Sequence, residues 1–464
     1  MIRFFNTLTG RIDPFKPITQ GKVGLYTCGP TVYDYAHIGN FRAYLFEDLL
    51  KRFLQLSGFA ITHIMNITDI DDKTIQGAAD RGLSLKAYAE PFITSFFEDL
   101  ERLNASPADV YPRATEHIPE MTQLIQGLLD KGFAYMKDGS VYFDISRFPA
   151  YGRLAKLDRT QLQAGRRSES DEYEKANAVD FALWKARKGE EPSWETDFGP
   201  GRPGWHIECS AMSARYLGPR FDIHCGGVDN IFPHHENEIA QSEAYYGHSF
   251  VNYWLHCHHL IVDGEKMSKS KGNFYTLRDI LDRGIDPAAV RLLLLSTHYR
   301  KQLNFTWSAL DQAAASVQRI RDFIHILRTE TFPGGKSDAA SILVGDMSDR
   351  FQKGLSDDLN ISVALTSLFE LIKKVNILIT KEEIRRDDVK LILQAVHRVD
   401  TVIGVLPGDT EPEDLDSDIQ SLIEERQKAR ADKNFTLSDR IRDKLLARGI
   451  VLEDTRDGIR WKKI

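Results

Sequence analysis

Residues 21–67 read GKVGLYTCGPTVYDYAHIGNFRAYLFEDLLKRFLQLSGFAITHIMNI, and this stretch decides the fold. Strand-forming residues fill positions 21–27, and apolar residues then recur at helical spacing over 38–56. A second β-rich run, 59–67, follows the helix stop at Ser57-Gly58. A strand, a helix and a strand in this order predict two parallel strands joined by a right-handed crossover, within a doubly wound sheet.

The same α/β pattern is interrupted and then resumes. Helical segments mixed with short hairpin-like pieces such as 139–144 occupy residues 83–200, which indicates an insertion. A strand at 221–224, a helix at 236–246 and a strand at 253–262 follow it. The predicted fold class is therefore α/β, with a Rossmann-type parallel-sheet domain whose two halves flank a connective insertion.

The sequence after Asp286-Pro287 is helical, with segments at 288–297 and 308–328 and further helices to about residue 405, which predicts a helical bundle. A linker at 408–418 carries six acidic residues in eleven. Residues 418–464 then have a net charge of +3, whereas the whole chain carries −7. This asymmetry predicts a small separate domain. From charge alone, a solvated helix surface is the preferred interpretation, and a surface that faces a polyanion is the alternative.

Composition limits the class of protein. With 464 residues, of which 42% are apolar, the chain has enough material for packed cores, so disorder is excluded for most of it. The four cysteines are too sparse for a disulfide scaffold and indicate thiols in a reducing compartment. No segment has the apolar length of a membrane span, and the N-terminus does not resemble a signal peptide. A cytoplasmic protein that contacts no membrane is predicted.

Two short motifs suggest nucleotide chemistry. His37-Ile38-Gly39-Asn40 stands where the first strand's loop enters a helix, near the positive end of the helix dipole, where such sheets bind nucleotides. Residues 266–273, KMSKSKGN, are predicted to form a flexible basic loop after the last strand, suited to clamping a triphosphate. An ordinary solvated turn is the alternative for the second motif, but the occurrence of both in this order favours the nucleotide reading.

The residues also permit a metal site. His234 and Glu238 are four apart on a predicted helix, so both project from one face. Cys28 ends the first strand, and Cys209 precedes a later one. If these elements are neighbours, two thiolates, an imidazole and a carboxylate form a set suited to Zn²⁺. Spacing alone leaves open that these are buried cysteines and a structural histidine.

The two short motifs resemble the ATP-binding motifs of class I aminoacyl-tRNA synthetases. The flanking segments resemble the cysteinyl-tRNA synthetases in particular, at residues 26–40 (YTCGPTVYDYAHIGN), 66–73 (NITDIDDK), 204–210 (GWHIECS) and 229–238 (DNIFPHHENE). The similarity spans nearly the whole chain. Its one visible departure is Asn40, where the general motif has a second histidine; asparagine keeps a donor and an acceptor.

The resemblance implies site residues as well as an activity. The implied ligands of a single zinc ion are Cys28, Cys209, His234 and Glu238, with Cys225, His224, His235, His256, His258 and His259 outside the set. The implied ATP-binding and catalytic residues are His37, Gly39, Asn40, Lys266, Ser268 and Lys269. The implied cysteine-binding residues are Gly29, Thr68, Trp205 and Asp229, with Asp229 pairing with the ammonium group and Trp205 forming an apolar wall or else a core aromatic. Implied tRNA contacts are Arg426, Arg430, Lys433, Arg440 and Trp461, the last being a core residue in the alternative reading.

The implied activity is that of a cysteine–tRNA ligase, with L-cysteine, ATP with Mg²⁺ and tRNA(Cys) as substrates. A ligase that passes the same adenylate to a small amine is the rival. The implied domains are the first Rossmann half (1–120), the connective insertion (121–200), the second half (201–265), the KMSKS loop and stem-contact region (266–310), the helical bundle (311–407), and the linker with an anticodon-binding domain (408–464). A monomer is expected, since no long heptad or exposed apolar helix forces a dimer.

Overall fold

The computed structural model describes residues 1–158, 162–168, 178–406, 417–432, 434–448, 450–455 and 458–463. The chain divides into two compact units, Met1–Leu406 and Pro407–Ile464. The strands of the first unit are β1 (Arg3–Asn6), β2 (Arg11–Pro14), β3 (Lys22–Thr27), β4 (Ala60–Met65), β5 (Ala134–Lys137), β6 (Ser140–Phe143), β7 (Leu162–Ser168), β8 (Ala178–Ala186), β9 (Gly201–Pro203), β10 (Phe221–Gly227), β11 (Val251–Cys257), β12 (Leu260–Val262), β13 (Glu265–Lys266) and β14 (Leu303–Phe305). Its α-helices are α1 (Ile38–Leu56), α2 (Asp72–Asp80), α3 (Leu85–Arg102), α4 (Ile118–Asp130), α5 (Trp205–Leu217), α6 (His234–Tyr246), α7 (Leu277–Leu281), α8 (Pro287–Ser296), α9 (Trp307–Thr329), α10 (Asp338–Ser356), α11 (Ile361–Thr380) and α12 (Arg386–Ile403).

The central sheet has the order β11-β10-β3-β4, and its strands are parallel. The chain leaves β3 through α1 towards β4 and leaves β10 through α6 towards β11, so the two crossovers run in opposite directions from the middle of the sheet. Open sheets bind ligands outside the carboxyl ends of the strands at such a switch point. The predicted Rossmann-type sheet is thus confirmed, and the helix predicted at 38–56 has the same bounds as α1.

The segment between the two halves of the sheet forms a second sheet of its own. Its strands have the order β5-β6-β8-β7, with β9 on β8. The hairpin expected around 139–144 is β5–β6, and it turns through Asp138 and Gly139, which both have positive φ. The insertion also contains a run of polar residues at 165–175 (GRRSESDEYEK), which lies partly outside the described residues.

Two expectations about later strands are wrong. The single strand predicted at 253–262 is interrupted at His258, whose amide donates to the carbonyl of Tyr299 (2.7 Å) instead of continuing the ladder. β12 therefore belongs to a separate sheet of order β13-β12-β14. The basic loop after β13 also does not follow the last strand, because β14 comes later in the chain and pairs in parallel with β12.

Two apolar cores support the first unit. One joins α1 to the helical region and includes Phe41, Leu45 and Leu294. The other joins the opposite face of the sheet to the insertion and includes Phe181 and Trp254.

The helices predicted at 288–297 and 308–328 are α8 and α9 within one or two residues.

The second unit contains α13 (Ser417–Ala431), α14 (Phe435–Leu446) and an antiparallel hairpin of β15 (Ile450–Thr455) and β16 (Gly458–Lys463). Ile423, Ile441 and Leu445 form its apolar core. Most of the acidic linker predicted at 408–418 lies outside the described residues. Among the helices of the described parts of both units, none is long and apolar enough to cross a membrane.

Candidate active site

The switch point of the central sheet gathers residues from three elements. Cys28 follows β3 directly, and its amide donates to the carbonyl of Cys225 in β10 (3.3 Å). Helices α5 and α6 pack against each other and bring Cys209 and His234 towards the same place. Residues far apart in sequence therefore meet at the carboxyl end of the sheet.

A group of metal-binding donors lies at this point. One donor atom from each of Cys28, His234, His235 and Glu238 lies within 4.8 Å of every other. Oε1 of Glu238 is 3.2 Å from Nε2 of His234 and 3.9 Å from Nε2 of His235, and that imidazole nitrogen is 3.3 Å from the Cys28 sulfur. This carboxylate oxygen is buried and accepts no hydrogen bond. A buried oxygen without a partner, facing nitrogen and sulfur donors, fits a bound cation of the kind that thiolate and imidazole prefer.

Cys209 lies beside this group. Its side chain is buried and interacts with the Cys28 thiol, and its sulfur is 3.7 Å from Oδ1 of Asn66. Burial raises the pKa of the Cys28 and Cys209 thiols, and the contact of Cys28 with Cys209 raises the pKa of Cys28 further. Three of the four ligands implied by the sequence are thus within the 4.8 Å group, where His235 joins them, and the fourth is their neighbour.

Further histidines hold these donors in place. Nε2 of His224 lies 2.9 Å from the second oxygen of Glu238, and Nδ1 of His206 lies 3.0 Å from Nδ1 of His234. On the other side, Nδ1 of His235 is 2.8 Å from Nε2 of His256. Burial lowers the pKa of His206, His234 and His256 to about 3, which keeps these imidazoles neutral. Neutral imidazole is the form that binds metals.

Asn66 joins the residues expected to bind the amino acid. Its Oδ1 accepts from the Gly29 amide (3.1 Å), and its amide nitrogen donates to the Thr68 hydroxyl (3.1 Å). Thr68 in turn donates to Oε2 of buried Glu208 (2.9 Å). Sequence reasoning singled out Gly29 and Thr68 but missed Asn66 and Glu208, although both lie within the segments that carry the resemblance.

Trp205 and Asp229 occupy different environments. The Trp205 indole stacks on the His234 imidazole with ring centroids 4.3 Å apart, and it is partly exposed, so it is not a core aromatic. The Asp229 side chain is 70% exposed and lies 3.9 Å from the ring of His259. Trp205 thus lies against the donor group, whereas Asp229 stands at the solvent side of the sheet edge.

The two nucleotide motifs touch each other. His37 caps α1: its ring accepts from the Asn40 amide (3.1 Å), while the Asn40 side chain accepts from the His37 amide (3.0 Å). This reciprocal cap explains how asparagine serves at a position where the general motif has histidine. A methyl group on Gly39 would lie 2.9 Å from the His37 ring and 3.2 Å from the Met267 methyl. The 266–273 loop therefore lies over the start of α1, with Lys266 exposed and the Ser268 amide donating to Asn273 (2.8 Å).

Comparison with known proteins assigns three parts of the chain to known families. Residues 14–315 match a family described as the class I (C) tRNA synthetase catalytic domain, residues 350–407 a DALR domain, and residues 413–461 the cysteinyl-tRNA ligase anticodon binding domain. The cysteine–tRNA ligase of Protochlamydia amoebophila is 49% identical over 470 residues, covering 100% of this chain and 98% of that protein. That of Chlamydia muridarum is 50% identical over 476 residues, covering 99% of each. The chain belongs to the cysteinyl-tRNA synthetase family.

A solved structure has a similar fold. The methionyl-tRNA synthetase of Mycobacterium tuberculosis in complex with methionyl-adenylate has a TM-score of 0.61 at 16% identity, covering 83% of this chain and 89% of that one. At this identity the likeness concerns the fold alone. The family predicted from the two nucleotide motifs and the segments around them is confirmed. The small-amine ligase has no support, because a member of that class needs no anticodon-binding segment.

The residues expected to contact tRNA lie in the second unit. Arg430 and Arg440 are exposed. Arg426 is only 3% exposed, so this side chain is not part of the exposed surface. Lys433 and the side chain of Trp461 lie outside the described part of this unit.

Proposed function

We propose that the chain attaches L-cysteine to tRNA(Cys) in two steps, by forming cysteinyl-adenylate from ATP and passing the cysteinyl group to the terminal ribose of the tRNA. The observation that carries this proposal is the position of two sites at one edge of one sheet. The nucleotide motifs meet at the start of α1, and the thiol- and imidazole-containing donor group follows the neighbouring strand ends. This arrangement supports bringing an ATP phosphate and a cysteine side chain to one place.

In the first step the cysteine carboxylate attacks the α-phosphorus of ATP and releases pyrophosphate. A carboxylate needs no general base, so positioning and charge stabilisation carry this step. His37 and the small Gly39 line the nucleotide-binding site at the start of α1. The Asn40 amide donates to the His37 ring and fixes its orientation. Lys266 and Lys269 provide the positive charge for the phosphates, together with the Mg²⁺ that accompanies ATP, and Ser268 orders their loop.

The metal of the donor group is Zn²⁺, held by Cys28, Cys209, His234 and Glu238, with His235 as a further donor within reach. Bound zinc supplies a soft Lewis acid that lowers the pKa of a thiol and binds the thiolate. The protein's own part is to orient the ligands: His224 fixes one oxygen of Glu238 and leaves the other without a partner. A serine hydroxyl resists deprotonation and is a poorer soft ligand, whereas an apolar pocket distinguishes such close analogues by only about 1–3 kcal/mol. Selection by bonding therefore makes an editing domain unnecessary.

The cysteine backbone lies between Gly29, Thr68 and Trp205, with Asp229 paired to its ammonium group. Two observations support this placement. Asn66 forms hydrogen bonds with Gly29 and with Thr68, and the Trp205 indole stacks on the His234 imidazole. The exposure of Asp229 suits a group that pairs with its partner only when the amino acid arrives.

The second unit reads the anticodon of tRNA(Cys). Exposed Arg430 and Arg440 are suited to phosphate contacts. The six-part division of the chain, the cytoplasmic location and the monomeric state stay predictions.

Incorporation of labelled cysteine into acid-precipitable tRNA, with ATP present and serine run beside it, tests the proposal. We expect charging with cysteine and none with serine. Cysteine-dependent pyrophosphate exchange without charging would overturn the tRNA step, and absence of both would overturn the proposed function. Zinc content measured on the same preparation tests the metal separately.

A further inference from the structure

The second lysine of the KMSKS loop is engaged by a carboxylate from the first motif region. The Lys269 ammonium forms an ion pair with Asp34, which stands three residues before His37 in the loop between β3 and α1. The Lys269 side chain is 64% exposed and that of Asp34 is 34% exposed, so the pair lies at the mouth of the site.

Phe274 completes the surroundings of Lys269. The ammonium lies 5.0 Å from the centroid of the Phe274 ring, and the His37 imidazole meets the same ring edge-to-face at 5.2 Å. Residues 274–276 are fixed on the start of α1 by two backbone contacts. His37 forms a β-bridge with Thr276, and the Ile38 amide donates to the Tyr275 carbonyl (3.0 Å). Asp34, Phe274 and His37 thus form one seat for Lys269 on the nucleotide side of the loop.

We propose that Asp34 is a positioning residue that holds Lys269 in this seat until the ATP phosphates replace its carboxylate. The inference rests on the proposed function, since it assigns the phosphates as the incoming anion. The carboxylate occupies part of the donor capacity of the ammonium and neutralises its charge, and the several charges of a triphosphate compete well with a single carboxylate. Asp34 thereby keeps the loop docked in the free enzyme at a small cost in ATP affinity.

The expected effect of Asp34→Asn is tighter nucleotide binding. Exposed ion pairs are weak, so the Kd for a non-hydrolysable ATP analogue should fall by about two- to fivefold. The KM for ATP in pyrophosphate exchange should fall equally, with kcat and the KM for cysteine unchanged. Asp34→Glu should restore the wild-type Kd, because it restores the carboxylate.

A matched control lies on the same loop. Glu265 pairs with Lys271 (2.7 Å) in a similarly exposed position, so Glu265→Gln removes an ion pair of the same kind. We expect it to leave the Kd for the analogue unchanged.

A double-mutant cycle separates the proposed pairing from general charge repulsion between Asp34 and the phosphates. In a Lys269→Ala background, Asp34→Asn should have no effect on the Kd for the analogue. An effect that persists there, or an Asp34→Asn variant that binds the analogue as wild type does or more weakly, would overturn the inference. The binding measurement needs no catalysis, so its outcome is independent of whether pyrophosphate exchange supports the proposed function.

Discussion

Gly29 passes so close to Asn66 that a methyl group on Gly29 would lie 1.7 Å from the Asn66 backbone oxygen. Gly29→Ala must therefore displace the loop after β3 and, with it, Cys28. A displacement of about 1 Å in an active site costs roughly a hundredfold in rate. We expect cysteine-dependent pyrophosphate exchange to fall by about that factor. Gly345→Ala in α10, where an added methyl meets nothing within 4 Å, should keep wild-type exchange; equal activity of both variants would contradict the prediction.

The sequence predicted the parallel sheet and α1 well, because the periodicity of residues 21–67 is local information. Cys28, His234 and Glu238 were also identified from the sequence as candidate zinc ligands. The family resemblance identified them together, although Cys28 follows β3 and the other two residues lie on α6. Residues whose role depends on tertiary contact were missed. His235 has the same sequence context as His234, and only the packing of α6 shows that both imidazoles reach Glu238. Asn66 begins the 66–73 segment but was not singled out, because its contacts with Gly29 and Cys209 come from distant parts of the chain.

Cys209→Ser should release zinc and weaken the discrimination against serine. A hydroxyl in place of the buried Cys209 thiol removes a soft donor beside Cys28. The remaining donors therefore bind zinc more weakly. Zinc content per chain and the cysteine-to-serine ratio in pyrophosphate exchange measure the two effects. Cys257→Ser is the matched control, since this buried cysteine of β11 lies outside the donor group and its thiol donates to the backbone carbonyls of Arg42 and His258. Full zinc content in Cys209→Ser would refute Cys209 as a ligand.

His63 should make the protein sensitive to mild acid. Burial lowers the pKa of His63 to about 3, from an ordinary value of 6.5. Between these values the unfolded chain binds a proton that the folded chain does not, so stability rises with pH through this window and is lost as pH falls below 6.5. The contribution is about 1.4 kcal/mol per pH unit. We expect the apparent melting temperature of His63→Gln to fall less steeply between pH 6.5 and 5 than that of wild type. His248→Gln, at an exposed position, should keep the wild-type slope; parallel curves for wild type and His63→Gln would exclude a contribution from His63.

Removal of residues 409–464 should separate the two steps of the reaction. Both nucleotide motifs and the donor group lie within Met1–Leu406, which is a compact unit with its own cores. The shortened chain is therefore expected to keep cysteine-dependent pyrophosphate exchange within about twofold of the full chain, whereas tRNA charging should fall because the anticodon-reading surface is gone. Exchange and charging measured on the same preparation, with its melting temperature as a check of folding, test this. An unchanged charging rate would show that recognition of the tRNA resides in the first unit.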